Sequence, residues 1–223
     1  MSSPLRKLLH STIGKKLIIG LTGLGLIGFV IVHLAGNLLI YLGFEKYNHY
    51  AHSLHSMALL PAAEIGLLLL FALHIFYAIG ISIENRKARE VAYAVKRSKQ
   101  GQSSATPSAM MFVSGAIILG FVLLHLADFR FHLRFPMIEG ELPAERAFRI
   151  LQNPITASVY FLGSLFLGYH LMHGIQSAFQ TWGINTTKYN PWIRKVGMIL
   201  AALLALGFAS FPVWATLKKW GIF

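Results

Sequence analysis

Five long apolar runs divide the sequence, roughly Leu17–Leu42, Pro61–Glu84, Ala109–Ala127, Thr156–Gln180 and Val196–Leu217. A helix needs about 20 residues to cross the ~30 Å hydrocarbon core of a bilayer, and all five reach or approach that length. Backbone N–H and C=O groups cannot go unpaired in lipid, so these runs predict helices rather than open strands. The expected fold is all-α: an integral-membrane bundle of five transmembrane helices forming one domain over residues 1–223, with no soluble lobe and no internal repeat. Between the first two runs, Phe44, Tyr47, Ala51 and Leu54 stand at helical spacing among polar residues. That pattern predicts a short helix over Phe44–Leu54 lying in the membrane interface. Gln100–Ser108 is a Ser/Gln/Gly stretch and predicts a flexible turn. The first apolar run extends well past the length of a signal-peptide core and no small-x-small cleavage site follows it, so it reads as the first span.

Composition sharpens this picture. Hydrophobic residues make up 55% of the chain and charged ones 13%, too apolar a balance for a water-soluble domain. The formal net charge is +12. In a soluble protein that would suggest nucleic acid. Here the basic residues flank apolar spans, so anionic headgroups and membrane topology account for them and no nucleic-acid partner is expected. The N-terminal segment, the second-to-third loop and the fourth-to-fifth loop carry thirteen lysines and arginines, and the opposite side carries seven. The positive-inside rule then puts the N-terminus in the cytoplasm and the C-terminus outside. There is no cysteine, which excludes disulfides, thiolate-bound iron–sulfur clusters and cysteine zinc sites. Any redox chemistry must use another ligand, and histidine is the candidate.

Four histidines fall inside four different runs: His33, His74, His125 and His170. An ionisable residue within a span is costly and marks function by default. Counting from the cytoplasmic ends at 1.5 Å per residue places His33 and His125 ~25 Å up, and His74 and His170 ~16–20 Å up. Two pairs at two depths suit two stacked haems, each held by one histidine on either face, in a four-helix bundle. Zinc needs four convergent ligands, which two separated pairs do not supply. His173 lies close to His170 on a similar face, and the residues alone leave the choice between them open. His49, His52 and His55 follow an i, i+3, i+6 pattern outside the spans; a wet interfacial face is the plain reading, a place near a quinone headgroup the sharper one. Glu64, at the start of the second span, is a candidate protonatable neighbour for a quinone, and its plainer reading is a carboxylate favoured near a helix N-terminus. His10 and His132 are loop residues with no evident role.

Several stretches in this order carry a resemblance: His33-Leu34-x-x-Asn37, Tyr47-Asn48-x-Tyr50-Ala51-His52, Glu64-Ile65 with His74 ten residues on, Leu124-His125, and His170-x-x-x-Gly174 followed by Ser177 to Gly183. Together they resemble the di-haem cytochrome b anchors of succinate dehydrogenases and fumarate reductases with a single five-span membrane subunit, over nearly the whole chain. The resemblance implies that His170 rather than His173 is a ligand, that His33 and His125 hold an outer haem b, and that His74 and His170 hold an inner one. It implies a bacterial inner (cytoplasmic) membrane, a flavoprotein subunit and an iron–sulfur subunit on the cytoplasmic face, and a low-potential quinone, menaquinone. The chain would then be a subunit of an enzyme while having no dicarboxylate site of its own. One family feature is missing: where some members have a glutamate two residues before the fourth-helix ligand, this chain has Gly168. Three other classes compete. A small transporter or proton channel with a histidine relay is disfavoured by two level pairs with no further acid inside the spans. The others are a haem-free structural anchor and a di-haem cytochrome of a different redox complex.

Overall fold

A computed structural model describes residues 11–87, 107–184 and 186–222. All the regular structure in it is helical. Helix α1 covers Thr12–Leu38 and runs into a 3-10 turn at Leu39–Leu42; α2 is Phe44–His55, α3 Leu60–Lys87, α4 Pro107–Phe129, α5 Pro143–Leu151, α6 Pro154–Thr181 and α7 Asn190–Lys219. Five of these, α1, α3, α4, α6 and α7, are long and apolar enough to cross a membrane. The predicted interfacial helix is present as α2. The predicted turn over Gln100–Ser108 lies outside the described residues, apart from Pro107 and Ser108, which open α4. Six of the cationic residues used for orientation (Arg6, Lys7, Arg89, Lys96, Arg97 and Lys99) lie outside them as well.

Local signals set the helix starts. Ser11 caps α1 by accepting from the Gly14 amide at 3.0 Å, and Asn153 caps α6 by accepting from the Thr156 amide at 3.0 Å, with Pro154 at the first helical position. The spans run past the apolar stretches because polar and charged residues continue the helices beyond the hydrocarbon. Lys15, in the first turns of α1, pairs with Glu84 near the end of α3 and ties the two helices at that end of the bundle.

Packing defines the order of helices around the bundle. Helix α1 packs on α3 and α6, α4 packs on α6, and α3 only grazes α4. Following these contacts round gives α3, α1, α6, α4, so α1 stands diagonally across from α4, and α3 across from α6. Helix α7 lies outside this square against α6 and α1. Its contact with α6 is close: a Cβ on Gly168 would fall 2.5 Å from the Ala205 Cβ and 3.2 Å from the Ala201 carbonyl oxygen. A side chain at this position could be seated only if α6 and α7 moved apart.

The segment between α4 and α6 departs from expectation. It reads as an outer loop in sequence, yet it contains α5, whose Ala144, Ala147, Ile150 and Leu151 are buried. Helix α5 packs against α2, α6 and α7 and closes one end of the bundle. The Ala144 amide donates to Asn48 Oδ1 on α2 at 2.8 Å, and Phe148 stacks edge-on with Phe44 and Trp214.

Candidate cofactor site

The four span histidines are half-buried and sit on the four helices of the square. The diagonal order brings His33 on α1 towards His125 on α4; their ring centroids are 5.9 Å apart with planes at 83°. Two imidazoles bound to opposite faces of one metal ion through bonds of about 2 Å have centroids roughly 6 Å apart, so this spacing fits a shared iron. His74 on α3 and His170 on α6 form the other diagonal and lie within electrostatic reach of each other. Among the described residues no three His, Cys, Asp or Glu side chains converge on a point. An ion held by two histidines therefore needs its remaining ligands from elsewhere, as a macrocycle supplies them.

The His74–His170 level is organised by hydroxyls. Thr22 Oγ1 donates to the Ile18 carbonyl at 2.7 Å, which commits its one hydrogen, and it lies 3.2 Å from His74 Nδ1. Ser114 Oγ donates to the Met111 carbonyl at 3.2 Å and lies 3.0 Å from His170 Nδ1. With its hydrogen on the carbonyl, each hydroxyl can accept from its imidazole; a ring that donates from Nδ1 presents the Nε2 lone pair, the form a metal requires, with the outer hydrogen bond fixing tautomer and orientation. A glycine follows each hydroxyl: a Cβ on Gly23 would lie 3.2 Å from His74 Cε1, and one on Gly115 3.4 Å from His170 Cε1. His173 is held differently. Its Nδ1 meets the carbonyl of Tyr169 on its own helix at 3.1 Å, and its ring packs on Tyr169.

The His33–His125 level is organised by aromatic rings. Phe29 stacks on His33 at 5.3 Å and Phe208 lies at 5.8 Å. Phe121, Phe129 and Tyr160 surround His125 at 6.1, 5.1 and 5.9 Å. The two levels are well separated. His74 lies beside Thr22, eleven residues below His33 on α1, and His170 lies beside Ser114, eleven residues below His125 on α4. Eleven residues correspond to about 16 Å. The sequence count underestimates this gap because α1 begins at Thr12, five residues before the apolar run.

Beside His33, between the end of α1 and α2, a cavity of about 140 Å³ is lined by His33, Asn37, Tyr47, Tyr50, Leu54 and His55. Burial, reinforced by Tyr50, pushes the Tyr47 phenol above its ordinary pKa and keeps it a donor. His55 Nδ1 meets the Ala51 carbonyl at 2.7 Å, which leaves its Nε2 free. His49, His52 and His55 are all exposed, as a wet interfacial face requires, and of the three His55 lines this cavity. Glu64 also lies outside it. It pairs with Arg130 at 3.1 Å, both side chains largely exposed.

One acid escaped the sequence reading. Asp128, in the last turn of α4, is fully buried. Its Oδ2 accepts from Tyr160 at 2.9 Å and from Arg134 at 3.2 Å. Arg146, from α5, donates to the Asp128 carbonyl at 2.9 Å. The expectation that the spans hold no further acid fails here, because Asp128 stands one residue beyond the apolar run that marks the span in sequence.

Comparison with known proteins agrees with this architecture. Residues 85–209 match the family model described as the succinate dehydrogenase/fumarate reductase transmembrane subunit. The chain is also 27% identical over 190 residues to the succinate dehydrogenase cytochrome b558 subunit of Bacillus subtilis (strain 168), an alignment that covers 82% of this chain and 85% of that protein. No solved structure matches significantly. The family match takes in more than half of the sequence, including α4, α6 and their histidines, and the chain belongs to the succinate dehydrogenase/fumarate reductase transmembrane subunit family.

Proposed function

We propose that this chain anchors a succinate:quinone or quinol:fumarate oxidoreductase in a bacterial inner membrane, holds two b haems, and carries electrons between the complex's iron–sulfur subunit and menaquinone. The observation that carries the reading is the pairing of four span histidines across two diagonals, at levels eleven residues apart on both α1 and α4. The B. subtilis relative's designation as a cytochrome b558 supports haem b as the cofactor. His33 and His125 would hold the outer haem, and His74 and His170 the inner one. Haem held by a histidine pair would supply a one-electron carrier closed to oxygen.

The residues around each pair do distinct work. Thr22 and Ser114 hold the inner imidazoles in the ligating tautomer. The aromatic walls around His33 and His125 exclude water from the outer level. The cavity beside His33 is our candidate for the quinone headgroup: Asn37, Tyr47 and Tyr50 offer donors for quinone oxygens, and His55 Nε2 an acceptor for a quinol hydroxyl. Glu64, exposed at the same end of the bundle, remains a candidate for proton exchange with solvent. Lys16, Arg86, Lys87, Lys188, Arg194 and Lys195 gather at the opposite end, which we assign to the cytoplasm and to the docked flavoprotein and iron–sulfur subunits.

A reduced-minus-oxidised spectrum with a pyridine haemochrome assay tests this reading. Two b haems per chain are expected in the purified complex. Replacing His33, His74, His125 or His170 with alanine should remove haem from its level, and His173→Ala should remove none. A correctly assembled complex without haem would leave a structural anchor instead.

A further inference from the structure

Asp128 is more deeply buried than a loop-facing carboxylate needs to be, and its position relative to His125 is specific. It follows His125 by three residues, about one turn of α4. Tyr160 bridges the two: its hydroxyl donates to Asp128 Oδ2 at 2.9 Å while its ring packs on the His125 ring at 5.9 Å. The intervening surroundings, Phe121, Phe129 and Tyr160, are aromatic and screen charge poorly. Two cations lie near Asp128. Arg134 reaches Oδ2, but its side chain is 35% exposed and so screened by water. Arg146 is buried and donates to the Asp128 main-chain carbonyl, so its charge opposes that of the carboxylate, while Asp128 Oδ1 has no hydrogen-bond partner among the described residues. Among the described residues no buried carboxylate stands beside the other level, where the imidazoles meet the neutral hydroxyls of Thr22 and Ser114.

We propose that the negative charge of Asp128 tunes the reduction potential of the haem held by His33 and His125, keeping it lower than it would be without that charge. The inference rests on the two-haem reading. An electron arriving at that haem adds negative charge, which a nearby carboxylate opposes, so removing the carboxylate's charge raises the potential. Asp128 is a tuning residue, acting across Tyr160 rather than touching the cofactor.

The test is a redox titration of the whole membrane complex that follows both haems. Asp128→Asn keeps the shape and an acceptor for Tyr160 and removes the charge. It should raise the potential of the His33–His125 haem by about tenfold in the one-electron equilibrium, or 59 mV, the size expected for a unit charge roughly 12 Å from a redox centre at an effective dielectric of about 20. Arg134→Gln removes the opposing charge and should shift the same haem downward by a smaller amount. The His74–His170 haem should stay put in both variants. Opposite signs distinguish an electrostatic role from simple loosening of the fold, which would move the haem the same way in both. An unmoved or lowered potential in Asp128→Asn, or equal shifts of both haems, overturns the proposal. If Asp128→Asn does not assemble, Arg134→Gln decides: a downward shift supports the proposal, and any other result overturns it. A wild-type complex that titrates as a single haem would instead overturn the two-haem reading, and this inference with it.

Discussion

The two histidine levels are built by different means. At the His74–His170 level each ring is fixed by one hydrogen bond to a hydroxyl on a neighbouring helix, and each hydroxyl is itself committed to a carbonyl of its own helix. At the His33–His125 level no described hydroxyl plays this part, and the Asn37 amide lies 3.5 Å from the His33 ring nitrogens. The rings are walled by Phe29, Phe121, Phe129, Tyr160 and Phe208, and the nearest buried charge, Asp128, is one side chain away. One level specifies orientation through tautomer; the other specifies environment through packing and field. A bundle of nearly uniform apolar helices can thus give chemically distinct surroundings to two similar histidine pairs without changing the histidines.

The comparison can be broken most severely at Gly168, close to the His74–His170 level. Gly168→Glu would drive a side chain into Ala205 and the Ala201 carbonyl. It should destabilise the chain by about 3 kcal/mol or more, from overpacking and a charge in the span, seen as loss of assembled complex and a lowered Tm. Thr22→Val combined with Ser114→Ala should then sharpen the contrast. Haem affinity at the His74–His170 level should fall about 10–100-fold, while the other level holds, as measured by level-resolved haem retention on dilution. Tyr160→Phe, at the aromatic level, keeps the ring against His125 and removes only the hydroxyl bonded to Asp128. Its cost should be about 1–3 kcal/mol of stability with haem retained at both levels. A large haem loss would mean that this level, too, depends on a hydrogen bond.

The smallest effect lies in the cap. Arg149 binds Glu141 in a bidentate pair at 2.6 and 2.7 Å and holds its carboxyl below the usual range. The folded pKa is depressed, so this contribution is present above the unfolded carboxylate pKa of about 4.3 and is lost as pH falls through the folded value beneath it. Hydrogen-exchange protection across Pro143–Leu151, taken relative to the intrinsic rate at each pH, should fall as the pH drops below about 4, and in Glu141→Gln this acid step should vanish. The stability involved is about 1 kcal/mol or less.

Much of this architecture was legible from hydrophobic length alone. The five spans, the interfacial helix and the membership of each histidine in its own span all follow from apolar runs and their spacing. Helix ends were less legible, because Lys15 and Lys16 at one end of α1 and Trp192, Arg194 and Lys195 near the start of α7 continue the helix in polar surroundings. That shift of ends also compressed the apparent gap between the two levels. The α5 cap left a readable trace, a proline at the first helical position and apolar residues at Ala144, Ala147, Ile150 and Leu151, yet its burial depends on α2 and α7, which no local pattern reveals. Asp128 could not be valued from sequence, since Tyr160, Arg134 and Arg146 reach it from separate parts of the chain. The choice of His170 over His173 came from resemblance; what supports it in the structure is a partner on another helix for His170 and a partner on its own helix for His173.

The Lys218 side chain near the end of α7 sits among Phe44, Phe148 and Trp214, its ammonium 5.4, 5.7 and 5.2 Å from the three ring centroids. Those rings belong to α2, α5 and α7, so one cation sews together segments synthesised far apart in time. During biogenesis the first four spans can enter the bilayer and both histidine diagonals can form before this clasp exists. Helix α5 can already rest on α2 and α6 at that stage, and the clasp fastens it only after the fifth span has crossed.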